Sequence, residues 1–159
     1  MKKNLLLTLA LCLLAQWSVA QAPKWVEKAK RAVFSVVTYD ESDKILNTGN
    51  GFFVTEDGIA LSDYSLFKGA QRAVVINSEG TQMPVEVIMG ANDMYDVVKF
   101  RVAISGKKVP ALVVAPVAPT VGASIYLLPY STQKDRSYTT GQVKEESKVC
   151  LLYTSDAAD

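Results

Sequence analysis

The hydrophobic positions of the chain first follow a helical period and then a strand-like one. Within residues 25–40, "WVEKAKRAVFSVVTYD", apolar side chains recur at helical spacing at Trp25, Val26, Ala29 and Ala32. The run from Val33 to Tyr39 is rich in β-branched and aromatic residues instead. This change of pattern predicts a short helix that leads directly into a β-strand.

Up to residue 104 the chain continues as short strand-like segments separated by polar turns. These segments are "ILNTGNGFFVTEDG", "IALSDYSLF", "RAVVINSEG", "TQMPVEVIMGAND" and "DVVKFRVA". The third and fourth predict a hairpin about the turn "SEG", while Gly49 and Gly51 predict a bulge or a close strand approach. Together with the first strand, about six strands with turns roughly every 8–12 residues predict a closed antiparallel β-barrel or a β-sandwich.

A different composition begins after residue 104. Pro110, Pro116 and Pro119 fall within residues 105–120, which we interpret as an extended connector. Beyond it, "SIYLLPYS" and "SYTTGQVKEE" predict two strands of a second unit.

Both ends of the chain differ from this pattern. Lys2 and Lys3 precede the apolar run 5–15, and small residues occupy 18–20, which is typical of a cleaved secretory signal over residues 1–20. The run is too short to span a bilayer, so we expect a periplasmic or secreted protein without an integral membrane segment after cleavage. At the other end, "CLLYTSDAAD" (150–159) is compatible with the translation of a sequencing-library adapter, and we interpret it as a non-native tail.

Composition excludes several classes of function. The formal net charge is +1 and there is no basic cluster, which argues against nucleic acid or an anionic membrane as a partner. The two cysteines, Cys12 and Cys150, lie outside residues 21–149, so no disulfide framework is expected there. The chain has no histidine and no clustered carboxylates, and its "TGNG" segment lacks the lysine of a phosphate loop. We therefore predict neither a metal site nor a cofactor.

Three segments in order resemble the trypsin-like serine peptidases, specifically the HtrA (Deg) type of bacterial envelopes. They are "TGNGFFVTEDGIALSDYSLFKGA", "GANDMYDVVKFRVA" and "VGASIYLLPYSTQKDRSYTTGQVKEE". The resemblance implies an all-β fold of two trypsin-like barrels, the first complete and the second only begun. It places a first barrel with a short N-terminal helix at 21–104 and the start of the second at 121–149.

The same resemblance implies which residues occupy the catalytic positions. Asp96 matches the aspartate that orients the histidine and stabilises its charged form. Ser65 stands where the histidine belongs, and the nucleophile position lies beyond the residues that can be compared. A serine hydroxyl is not basic, so Ser65 cannot replace the imidazole as a proton acceptor. Lys68 and Lys99 are the nearest lysines in sequence, and we interpret both as ordinary solvated side chains.

Three hypotheses follow. The first is a trypsin-like protease homologue without catalytic activity, a pseudoprotease. The second is an active serine endopeptidase whose base or nucleophile comes from a further part of the protein. The third is a structural or peptide-binding β-barrel. An extended peptide or protein is the expected partner, and further domains are expected in the full-length protein.

Overall fold

A computed structural model describes residues 24–130 and 138–145. Within them helix α1 (Lys24–Lys30) is followed by β1 (Val33–Tyr39), β2 (Ile45–Phe53), β3 (Ile59–Asp63), β4 (Arg72–Ile76), β5 (Gln82–Asn92), β6 (Val97–Val102), β7 (Ser124–Leu127) and β8 (Thr139–Gln142). A short 3₁₀ turn, Tyr64–Phe67, follows β3 directly. The predicted signal at 1–20 and the predicted tail at 150–159 lie outside the described residues.

The first six strands form a closed antiparallel barrel in the order β1-β2-β3-β6-β5-β4. Two meanders, β1-β2-β3 and β4-β5-β6, are joined by the β3–β6 pair on one side and by the β1–β4 pair on the other. Closure leaves no strand edge unpaired around the ring. The all-β prediction is confirmed, and of the two arrangements that the periodicity allowed, the barrel is the one that forms.

The interior of the barrel is filled mainly by aromatic and β-branched side chains. Phe34, Phe53 and Phe100 are almost completely buried. The ring of Phe34 meets that of Phe53 edge-on, with 4.7 Å between their centroids. Along β6, Val98 and Phe100 point inward while Lys99 between them is exposed, as the alternation in sequence predicts. Burying each such phenylalanine contributes about 1.5–3 kcal/mol.

Two glycines of β2 allow other groups to approach its backbone closely. A Cβ atom at Gly51 would lie 2.4 Å from Cε2 of Phe34 and 2.8 Å from the carbonyl oxygen of Leu61. One at Gly49 would lie 2.4 Å from Cδ1 of Leu66. Of the bulge and the close approach predicted from sequence, the close approach is found, and the register shift between β1 and β2 lies at Thr38/Tyr39.

After the barrel the chain runs without a helix or strand from residue 103 to residue 123. Strands β7 and β8 then form a separate two-stranded antiparallel sheet. The indole of Trp25 in α1 packs edge-on against Tyr126 of β7, with 4.7 Å between ring centroids. In the described part of the chain, every helix is too short or too polar to cross a membrane.

The steric role of Gly51 leads to a stability prediction. Gly51→Ala should lower the free energy of unfolding by about 1–3 kcal/mol, because the new methyl group would collide with Phe34 and with backbone in a filled core. Urea unfolding followed by circular dichroism measures the effect. Gly90→Ala in β5 is the matched control, since a Cβ there meets nothing within 4 Å. Equal stability of the two variants would show that β2 does not need a glycine at 51.

Candidate functional site

The pairing of β3 with β6 brings two segments together that are far apart in sequence. Asp63, the last residue of β3, is paired with Val97, the first residue of β6. The 3₁₀ turn that contains Ser65 starts directly after Asp63, and Asp96 directly precedes Val97. The N–H of Tyr64 donates to the carbonyl oxygen of Asp96 at 3.1 Å, which extends the ladder by one more contact. The register therefore places residue 65 beside residue 96.

The carboxylate of Asp96 receives two hydrogen bonds from Ser65. The backbone N–H of Ser65 donates to Oδ1 at 2.6 Å, and its hydroxyl donates to Oδ2 at 2.9 Å. Asp96 is half-buried, whereas Ser65 is exposed. The backbone of Asp96 is left-handed, with φ of 49°, a conformation that aspartate tolerates better than most residues. The proximity expected from the resemblance is present, and both carboxylate oxygens are engaged.

The far side of the turn is fixed by two polar side chains, Thr38 of β1 and Asn47 of β2. The hydroxyl of Thr38, which is fully buried, lies 2.9 Å from the carbonyl oxygen of Leu66 and can donate to it. The side-chain amide of Asn47 donates to the same oxygen at 3.3 Å, and the backbone N–H of Asn47 donates to the Thr38 hydroxyl at 3.1 Å. Ser65 thus lies in a turn that is held at both ends, by Asp96 on one side and by Thr38 and Asn47 on the other.

Lys68 follows the turn and is held by an acidic residue of the β5–β6 connection. Its Nζ donates to Oδ1 of Asp93 at 2.5 Å, and it lies 5.2 Å from the centroid of the Tyr64 ring. The hydrogen bond to Asp93 is the main reason that the pKa of Lys68 is raised above its usual value, and the nearby charges act in the same direction. Half of the side chain is exposed. The solvated lysine that the sequence predicts is therefore also an ion-paired one.

The site consists chemically of a hydrogen-bond acceptor, the carboxylate of Asp96, and a donor that already points at it, the hydroxyl of Ser65. The hydroxyl of Ser65 donates its proton to the carboxylate of Asp96 in a hydrogen bond, and a hydroxyl is too weak a base to take a proton from a nucleophile. Among residues 24–130 and 138–145, no three histidine, cysteine or acidic side chains are grouped so that they could hold a metal ion.

Two parts of this site were not predicted from sequence. The contact between Lys68 and Asp93 spans 25 positions, and that between Thr38 and Leu66 spans 28. The aspartate of "GAND" and the threonine at the end of a buried strand are ordinary residues for a turn and a strand. Only the barrel register, once known, shows that they face the 3₁₀ turn.

A comparison with protein families adds an independent finding. A model of the trypsin-like peptidase domain matches residues 49–158, which is more than half of the chain and includes both Ser65 and Asp96. No curated protein matches the chain.

The anchor at Leu66 yields a prediction about the turn. Thr38→Val should lower the free energy of unfolding by about 1–3 kcal/mol, because the shape of the side chain is kept while partly buried polar groups of Leu66 and Asn47 lose the Thr38 hydroxyl as a partner. Thermal or urea unfolding measures the loss. Thr48→Val, at an exposed position of β2, should change stability by no more than about 0.5 kcal/mol. Equal effects at the two positions would rule out an anchoring role for the Thr38 hydroxyl.

Proposed function

The chain belongs to the family of trypsin-like peptidase domains, and we propose that it is a non-catalytic member, a pseudoprotease. It is a trypsin-like protease homologue, and the barrel that contains Asp96, the aspartate position, is closed by six strands. The observation that supports inactivity most directly is the contact between Ser65 and Asp96. The residue in the histidine position donates its only side-chain proton to the aspartate and offers no basic nitrogen.

Peptide hydrolysis by a serine nucleophile needs a base whose pKa lies near the working pH. Histidine has an unperturbed pKa of about 6.5, and the sequence contains no histidine at any of its 159 positions. A base at the position of Ser65 would become cationic when it takes a proton, and Asp96 would stabilise that cation as a carboxylate stabilises an imidazolium. A neutral hydroxyl has no charged form that Asp96 could stabilise in that way.

Lys68 and Lys99, the nearest lysines in sequence, are the candidate bases considered for the turn, and their surroundings act against that role. A lysine serves as a base when burial or a neighbouring cation lowers its pKa. Asp93 raises the pKa of Lys68 instead, so its ammonium stays protonated at neutral pH. Lys99 is exposed on the outer face of β6. Both lysines therefore support the non-catalytic interpretation.

The proposal also covers the cellular location of the protein and its binding partner. Residues 1–20 have the pattern of a secretory signal, and the three matching segments resemble the HtrA type, so we place the protein in the periplasm or outside the cell. Without catalysis, such a barrel could still bind an extended peptide or protein segment or form a structural part of a longer protein, and we propose the first role. In this proposal the full-length protein has further domains.

Labelling with a fluorophosphonate tests the proposal together with hydrolysis of fluorescent casein. We expect no labelled serine and no casein cleavage from the purified protein, and the same result for Ser65→Ala. Because a fluorophosphonate reacts only with an activated serine, a label at any serine would overturn the proposal. Casein cleavage that is lost in Lys68→Met would also overturn it, and would identify the lysine as the base.

A further inference from the structure

A cavity of about 710 Å³ lies between α1, the turn that joins β4 to β5, and the segment that follows β6. It is separate from the site described above, because Asp96 precedes the first residue of β6 whereas Ala103, in the wall of the cavity, follows the last. Its volume is within the range of small-molecule sites, about 300–1,000 Å³. Neither Ser65 nor Asp96 contributes to its wall.

Lys30 of α1 is the unusual member of the cavity wall. It is only 8% exposed, and its ammonium nitrogen has no hydrogen-bond partner among the described residues. A buried ammonium without a counter-charge is unfavourable and is rarely retained unless something pairs with it. The four-carbon stem of lysine is flexible, so the ammonium can turn toward a group that enters the cavity.

The other charges of the wall favour an anion over a cation. Its cationic side chains are Lys30, Arg31, Lys107 and Lys108, and its carboxylates are Glu27 and Glu79. Lys108 is paired with Glu56 at 2.8 Å, which leaves three cations against the two acids of the wall. In the part of the chain that the structure describes, neither Arg31 nor Lys107 takes part in a side-chain ion pair.

The remaining wall is partly apolar. Met83 is buried where β5 begins, and Ile104 and Val109 lie in the segment after β6. A ligand that fits both parts of the wall needs one anionic group and a hydrophobic body. We propose that this cavity binds a small organic anion of that kind, a carboxylate with an apolar chain, whose charged end pairs with Lys30. This inference does not depend on whether the barrel is catalytic.

Octanoate and octanamide provide the test, because they share an apolar chain and differ in charge. Titration calorimetry on the purified protein should show octanoate binding at least about tenfold tighter than octanamide, as expected for a hydrogen bond to a charged group. Lys30→Met should weaken octanoate binding by about the same factor and leave octanamide unchanged. This variant should fold, because it replaces an unpaired buried charge with a neutral chain of similar length.

Lys28→Met is the matched control, since Lys28 lies on the same helix, is exposed and is not part of the wall. It should bind octanoate like the unaltered protein. Lys30→Gln, which keeps a polar donor but no charge, should lose octanoate affinity as Lys30→Met does. The proposal is overturned if octanoate does not bind, if octanamide binds equally well, or if both Lys30 variants retain full octanoate affinity.

Discussion

The antiparallel pairing of β3 with β6 is the contact on which the barrel and its site both depend. It joins the two three-stranded meanders into one sheet, and the β1–β4 pair then closes that sheet into a ring. The same pairing fixes the register that sets Asp63 opposite Val97. Ser65 follows β3 and Asp96 precedes β6 at the same end of this strand pair, so their contact is a consequence of strand register. A shift of one residue would turn the inward side chains of β6 toward solvent, which ties the site geometry to the packing of Phe100.

Local patterns in the sequence were enough to predict most strands of the barrel. Each strand is a short run of β-branched or aromatic residues bounded by turn residues, and the hairpin about residues 78–80 formed as its "SEG" turn indicates. The choice between barrel and sandwich was left open, because it rests on the pairs β3–β6 and β1–β4, which join strands distant in sequence. Periodicity along one strand contains no information about which distant strand will be its neighbour.

The candidate site also has features that were predicted from the sequence and features that were not. The positions of Ser65 and Asp96 came from a resemblance across ordered segments, and their contact is present in the structure. The supports of the turn were not predictable, because Thr38 contacts Leu66 across 28 positions and Lys68 contacts Asp93 across 25. For Lys68 the difference matters chemically: its raised pKa comes from a partner that only the folded chain supplies.

With Ser65 in the histidine position, as proposed, the geometry around Asp96 explains how the barrel would accommodate a serine there. One of the two hydrogen bonds to the carboxylate comes from the backbone N–H of residue 65, and it would remain with any side chain except proline. The side chain of residue 65 therefore has to donate a hydrogen bond only to Oδ2 of Asp96. A serine hydroxyl donates to that oxygen as a ring N–H of histidine would. Serine therefore gives the half-buried carboxylate two donors and leaves no desolvated charge unpaired. In the proposed assignment, folding and catalysis make separate demands on position 65: serine pairs the carboxylate of Asp96 but supplies no base.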